Sequence, residues 1–236
     1  KRGESPYDAF GAGHAITALS SAMGLCDGLG RKGSPARVAA VIGDGTLTGG
    51  MAYEAFNNIK TIKGNLIVVL NDNEMSISKS VGAMADYLSR VTSSPMYNRV
   101  KGELESFIKK VPSIGPALVK NTLKLEESLK NMLVPGVVFE EFGFRYFGPI
   151  DGHDIGHMVS TLRNIMGIDA PVLLHVLTRK GQSYGLAEAE PRAFHGVSSF
   201  DIATGRPKSD SGRSFTDAFA DAAVDLARAD ERIVGI

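Results

Sequence analysis

The chain has 236 residues, 43% of them hydrophobic, enough for one full domain core and part of a second. Its 26 lysines and arginines balance 26 acidic residues, so no net positive field marks it for nucleic acid or an anionic membrane. The single cysteine, Cys26, excludes an internal disulfide and points to a reducing compartment. No apolar run is long enough to span a bilayer, and no signal peptide is evident.

In chain order, "AITALSSAMGL" (15–25) sets Ile16, Leu19 and Met23 at helical spacing among small residues, which predicts a helix packed closely on a sheet. "RVAAVI" (37–42) and "NLIVVL" (65–70) read as short buried strands, with the helical "YEAFNNIKTI" between them. Strand, helix and strand make a βαβ unit and hence a parallel sheet with covered faces. "FRYFGPI" (144–150), the helical "DIGHMVSTLRNIM" (154–166) and "VLLHVLT" (172–178) repeat the alternation. The fold class expected is α/β, a doubly wound parallel sheet that takes its ligands at the carboxyl ends of the strands.

Residues 92–135 interrupt that rhythm. Leu104, Phe107, Ile108 and Val111 mark one helix, Leu118, Leu125, Leu129 and Met132 mark another, and four prolines punctuate them. This inserted helical segment is expected to act as a lid over the neighbouring strand ends. "SSFDIATGRPKSDSG" (198–212) has the composition of a linker, and "SFTDAFADAAVDLARAD" begins a new amphipathic helix. The closing "RIVGI" reads as a strand cut short. With Lys1 in place of an initiating methionine, it suggests a piece of a longer protein. The expected organisation is one domain over 1–197, a linker over 198–212, and the start of a second domain over 213–236.

Chemistry gathers at two strand ends. In "VIGDGTLTGG" (41–50), Asp44 stands between two glycines at the mouth of a strand, and in "VVLNDNEMSIS" Asn73 closes the next strand. A carboxylate, an amide oxygen and nearby carbonyls are hard donors that suit Mg²⁺, which takes few protein ligands and completes its shell with phosphate and water. Gly43 would allow a sharp turn, Gly45 a close approach of phosphate to backbone, and the helix after Gly49-Gly50 would aim its amides at an anion. Taken singly, Asp-Gly is ordinary turn chemistry and "NDN" an Asx-turn cluster; their spacing, one crossover apart, favours a shared site.

Gly43-Asp44-Gly45 with Asn71-Asp72-Asn73 resembles the diphosphate-binding motif of thiamine diphosphate enzymes. The blocks "DAFGAGHAITALSSAMG", "VIGDGTLTGGMAYEAFNN", "LNDNEMSIS", "FEEFGFRYFGPIDGHD", "TRKGQSYGLAE" and "FHGVSSFD" occur in the order found in the 1-deoxy-D-xylulose-5-phosphate synthase family, and the likeness runs over nearly the whole chain. The resemblance implies a thiamine diphosphate-binding fold with thiamine diphosphate and Mg²⁺ as cofactors. Asp44, Asn73 and the Met75 carbonyl would hold the metal, with Gly45, Thr46 and Asn73 at the diphosphate. Gly13, His14 and Ala15 match a cofactor-covering Gly-His-Ser segment in which Ala15 replaces the hydroxyl residue. Tyr184 matches a cofactor-contacting tyrosine and His195 an active-site histidine. On residues alone, His14 reads equally as a helix cap, Tyr184 as a loop anchor and His195 as a solvated side chain.

The implied reaction condenses pyruvate with D-glyceraldehyde 3-phosphate to 1-deoxy-D-xylulose 5-phosphate with loss of CO₂, with the cofactor as electron sink. The product feeds isoprenoid, thiamine and pyridoxal synthesis. The implied setting is a cytoplasmic homodimer in which a second domain of the same protein supplies a glutamate beyond Ile236, and a histidine precedes Lys1. Residues 1–236 alone are therefore expected to be inactive. Two alternatives stay open: a transketolase, which shares the GDG and "DGHD" motifs, and a non-catalytic cofactor-binding module. His153 and Asp154 are expected to form a turn and a helix cap, His157 and His175 to lack ligand partners, and Cys26 to lie inert at a helix end.

Overall fold

The computed structural model describes residues 3–75, 81–93, 136–208 and 212–235. Of the segment expected over 92–135, only residues 92 and 93 are described, at the end of a helix; its two expected helices and the lid lie outside the described residues. The chain divides into two compact units, Lys1–Lys180 and Gly181–Ile236.

The first unit is built on four parallel strands, β1 (Val38–Gly43), β2 (Leu66–Asp72), β3 (Arg145–Asp151) and β4 (Val172–Leu177), in the order β1-β2-β4-β3. Helices α1 (Thr17–Arg31), α2 (Gly50–Asn57), α3 (Ala83–Ser93) and α4 (Val137–Phe142) send apolar side chains to one face, and α5 (Ile155–Ile165) covers the other. The handedness of crossovers explains this division. The steps from β1 to β2 and from β2 to β3 run in one direction, so their helices share a face. The step from β3 back to β4 reverses direction, and a right-handed connection must then cross on the opposite face.

Alternation along the strands assigns each residue to a layer. Leu66, Val68 and Leu70 of β2 join α1 and α2 in the larger core, while Ile67 meets Val172, Leu174 and Ile165 in the smaller one. The centre of the larger core is aromatic: Phe56, fully buried, lies 5.4–6.2 Å in centroid distance from Tyr53, Phe139, Phe142 and Phe144. Gly30, in the last turn of α1, permits a close approach of backbones, since a Cβ there would strike the Lys63 carbonyl. Asp27, one turn earlier, accepts the Lys63 amide at 2.8 Å and the Arg31 guanidinium at 2.6 Å. The Arg31 bond, then the Lys63 amide, holds the Asp27 carboxyl below the usual range.

Three expectations need correction. The helix after β1 stops at Asn57 instead of running through Ile62, because Asn58 turns its side-chain amide back onto the Glu54 carbonyl at 2.8 Å and a 3-10 turn (Ile59–Thr61) follows. Cys26 lies within α1, not at its end; burial and then Asp27 push its thiol up, which keeps it protonated. "RIVGI" makes no strand among the described residues: the Asp230 carboxylate takes both the amide and guanidinium of Arg232, and the chain turns.

The second unit carries the short helix α6 (Gly185–Ala189), a loop over 200–207 closed by an antiparallel bridge between Phe200 and Pro207, and α7 (Phe215–Ala229). Ser214 and Asp217 form a reciprocal capping box at the start of α7. None of the residues of α7 is buried, and Phe215 and Phe219 stand exposed.

Candidate functional site

All four strands present their carboxyl ends at one edge. Gly43 of β1 pairs with Asn71 of β2, so Asp44 and Asn73 leave adjacent strands at that edge, as their spacing predicts. Gly43 itself is extended (φ −84°, ψ 162°) and a Cβ there would meet nothing, so the expected sharp turn at this glycine is absent. The chain passes directly into a 3-10 turn, Asp44–Thr48, and α2 begins only after it. The amides nearest the strand's mouth therefore belong to that turn and not to the helix.

The turn is fastened from two sides. Thr46, buried, donates its hydroxyl to the Ala15 carbonyl at 3.0 Å, and Tyr53 donates to the Leu47 carbonyl at 2.6 Å. Burial raises the Tyr53 phenol above its ordinary value, which keeps that donor protonated. Gly49 packs against the Ile16 side chain at the start of α1, where a Cβ would press on its terminal methyl. Two stretches of sequence expected at a cofactor, 13–15 and 45–46, are thus brought together by this structure. The exposed His14 uses its carbonyl to accept the Thr17 hydroxyl at 3.0 Å, while Ile16 stands at the N-cap of α1 without a side-chain cap, so the alternative reading of His14 as a helix cap is not met.

At the end of β2 three consecutive residues do different work. Asn71 accepts the Thr178 hydroxyl at 2.7 Å, Asp72 bonds the buried His175 ring at 3.0 Å, and Asn73 accepts the Met75 amide at 3.0 Å. The other Asp72 oxygen accepts the Glu74 amide at 3.1 Å, and Glu74 adopts a left-handed φ of 58°. His175 completes a chain to the Tyr146 hydroxyl at 2.7 Å. Sequence reasoning gave His175 no ligand partner, named Asp72 only as part of a motif, and assigned no role to Tyr146 or Thr178. The signal was available: a histidine inside "VLLHVL" must be buried, and a buried ring nitrogen needs a partner.

A cavity of about 130 Å³ opens at this edge, lined by Asp44, Asp72 and Glu74 and by Asp86 and Leu88 of α3. Asn73 is not among its lining residues. Asp44 is only 5% exposed, so its carboxylate faces little bulk water. A diphosphate approaching this acidic mouth is repelled unless a cation stands between them. Among the described residues no group of three or more acid, histidine or cysteine side chains forms a ready-made cage. The expected donor set is the Asp44 carboxylate, the Asn73 amide oxygen, which keeps a lone pair beyond the Met75 amide, and backbone carbonyls, with the Glu74 and Asp86 carboxylates at the same mouth. Such a sparse set of hard oxygens fits Mg²⁺ shared with phosphate.

The other expected residues lie in the second unit. Tyr184 donates its hydroxyl to the Ile202 carbonyl at 2.8 Å and packs its ring on Phe194 and Phe200, an anchoring role. His195 is exposed, and its amide donates to the Arg192 carbonyl at 3.2 Å. In "DGHD", Asp154 caps α5 by accepting the His157 amide at 2.9 Å, and His153 turns on Asp151, as expected. The His153 ring also accepts the Arg179 amide at 2.8 Å, tying the ends of β3 and β4.

A parallel sheet with helices on both faces and oxygen donors at its carboxyl edge defines an α/β protein of the kind that binds ligands at strand ends. A family model described as 1-deoxy-D-xylulose-5-phosphate synthase matches residues 1–178. The chain is 50% identical over its whole length to the 1-deoxy-D-xylulose-5-phosphate synthase of Carboxydothermus hydrogenoformans. It is also 50% identical to that of Desulforudis audaxviator and 47% identical to that of Heliobacterium modesticaldum, again over its whole length. The chain belongs to the 1-deoxy-D-xylulose-5-phosphate synthase family. It spans 37–38% of the length of these relatives.

Proposed function

We propose that this chain is the diphosphate-binding part of a thiamine diphosphate-dependent synthase, which condenses pyruvate with D-glyceraldehyde 3-phosphate to 1-deoxy-D-xylulose 5-phosphate and releases CO₂. The observation that carries this reading is the 50% identity to such synthases along the entire chain. The bound cofactor supplies the electron sink for loss of CO₂. Asp44, Asn73 and the Met75 carbonyl hold Mg²⁺ against its diphosphate, and the amides of Gly45 and Thr46 meet the phosphate oxygens. Gly13, His14 and Ala15 lie over the cofactor, Ala15 through backbone contact alone, a placement supported by the Thr46–Ala15 bond. By the family resemblance, Tyr184 would contact the cofactor and His195 would serve as an active-site histidine. The second domain of a cytoplasmic homodimer completes the site, and the product enters isoprenoid, thiamine and pyridoxal synthesis.

The test uses the full-length protein with both substrates, following CO₂ and the pentulose phosphate by mass. Asp44→Ala is expected to abolish Mg²⁺-dependent uptake of thiamine diphosphate in calorimetry, because it removes the one carboxylate of the donor set. Unchanged affinity in that variant would falsify the metal assignment. Absence of pyruvate-dependent CO₂ release from the wild type sinks the reaction itself.

A further inference from the structure

A histidine and an aspartate buried together inside a sheet core call for a reason. His175 is fully buried and Asp72 2% exposed, at positions where apolar side chains would fill the same space without polar desolvation. Both ring nitrogens of His175 are occupied, Nε2 with Asp72 at 3.0 Å and Nδ1 with the Tyr146 hydroxyl at 2.7 Å. Both Asp72 oxygens are occupied as well, the second by the Glu74 amide at 3.1 Å. The chain of bonds therefore runs across three strands, from Tyr146 on β3 through His175 on β4 to Asp72 at the end of β2.

Its far end is a tight turn. Asp72 and Asn73 each accept the amide two residues on, and Glu74, between Asn73 and Met75, holds a φ of 58°, which few non-glycine residues adopt without compensation. Thr178 fixes the same stretch from β4, donating its amide to the Asp72 carbonyl at 2.8 Å and its hydroxyl to Asn71. The direction of the Asn73 side chain and of the Met75 carbonyl is set by this turn. At the other end, Tyr146 stacks on Phe139 at 6.0 Å with planes 3° apart, which leaves the phenol little freedom.

We infer that His175 and Tyr146 are positioning residues for the metal site: they lock Asp72, and Asp72 locks the turn that presents Asn73 and Met75. This rests on the reading of Asn73 and Met75 as metal ligands given above. Partners that orient ligands from behind are typically worth about 10–100-fold in metal affinity. His175 itself then touches neither metal nor cofactor.

The experiment measures Mn²⁺ uptake by the full-length protein in the presence of thiamine diphosphate, from loss of the free-ion electron paramagnetic resonance signal. The wild type and Asp44→Ala are controls. His175→Asn, which cannot reach Asp72, is expected to weaken Mn²⁺ binding by about 10–100-fold. His175→Gln, whose amide extends to the Nε2 position, should recover most of that loss, a rescue that mere core filling would not predict. Tyr146→Phe keeps the stacked ring and is expected to weaken binding by several-fold, with the Mn²⁺ line shape broadened. Thermal unfolding without ligands separates folding from metal affinity, and if His175→Asn does not fold, Tyr146→Phe decides. Wild-type Mn²⁺ affinity in folded Tyr146→Phe, or in folded His175→Asn, overturns the inference. Failure of the wild type to take up Mn²⁺ with the cofactor, or uptake insensitive to Asp44→Ala, overturns the underlying reading instead.

Discussion

Near Asp44 the longest polar ties reach far along the chain, beside short ones such as Asn73–Met75, whereas the Tyr184 hydroxyl and the loop over 200–207 are tied closer to home. Thr46 bonds Ala15 across 31 residues, Asp72 bonds His175 across 103, and Thr178 bonds Asn71 across 107. Tyr184 bonds Ile202 across 18, and Asp201 closes its loop on Thr204 across three. Long-range ties exist only when the whole sheet has formed, so the strand-end site should share the stability of the first unit. Short-range ties open and close locally. Under the function proposed above, the difference would suit a rigid strand-end site and a loop that has only to present a side chain.

The largest expected effect breaks the first region through its core. Phe56→Ala removes the centre of the aromatic cluster and is expected to cost about 3–5 kcal/mol. Hydrogen exchange should then show β2 and β4 losing protection together, with the amides of residues 184–205 unchanged. Equal loss in both regions would show that they share one cooperative unit. A smaller step targets the tie itself. Thr46→Val keeps the shape but removes the bond to the carbonyl of Ala15, an exposed residue, at a cost of about 0.5–1.5 kcal/mol. It should also lower thiamine diphosphate affinity in the full-length protein, since residues 13–15 lose their fastening to 45–46. A variant with normal stability and normal affinity would remove this bond from the argument.

Much of the first region was legible in the sequence. Apolar runs ending in "GDG" and "NDN" located β1, β2 and the edge where they meet, because strand period and strand-end chemistry are local properties. The partners of those ends were not legible. That Asp72 finds His175 and Thr46 finds Ala15 depends on register and crossover, which no local pattern states. Gly43 misled for the opposite reason: a glycine at a strand end suggests a turn, yet the backbone there is extended. In the second region Tyr184 and His195 were named by resemblance only. Their ordinary anchoring contacts give the residues no chemical signature of their own.

On the local side the effects shrink. Tyr184→Phe removes the bond to the Ile202 carbonyl but keeps the ring contacts with Phe194 and Phe200. The expected cost is about 0.5–1 kcal/mol, confined to the loop over 200–207 and read as faster exchange there. Faster exchange in β2 as well would contradict the local character argued for this region.

The smallest effect is a pH response at the start of α7. Asp217 bonds the Ser214 hydroxyl at 2.7 Å and its amide at 2.8 Å, and these two bonds, the hydroxyl first, hold its carboxyl below the ordinary value. A carboxyl whose folded pKa lies below its unfolded one adds stability above the unfolded value and loses it as pH falls through the folded one. The first turn of α7 should therefore fray as pH drops below the usual carboxylate range, and Asp217→Asn should fray it at neutral pH. The side chain is fully exposed, so solvent screens the effect and the change should stay within that turn. Amide chemical shifts of residues 214–218 followed between neutral and acidic pH are the measurement. A transition in wild type that persists unchanged in Asp217→Asn would assign it to another group.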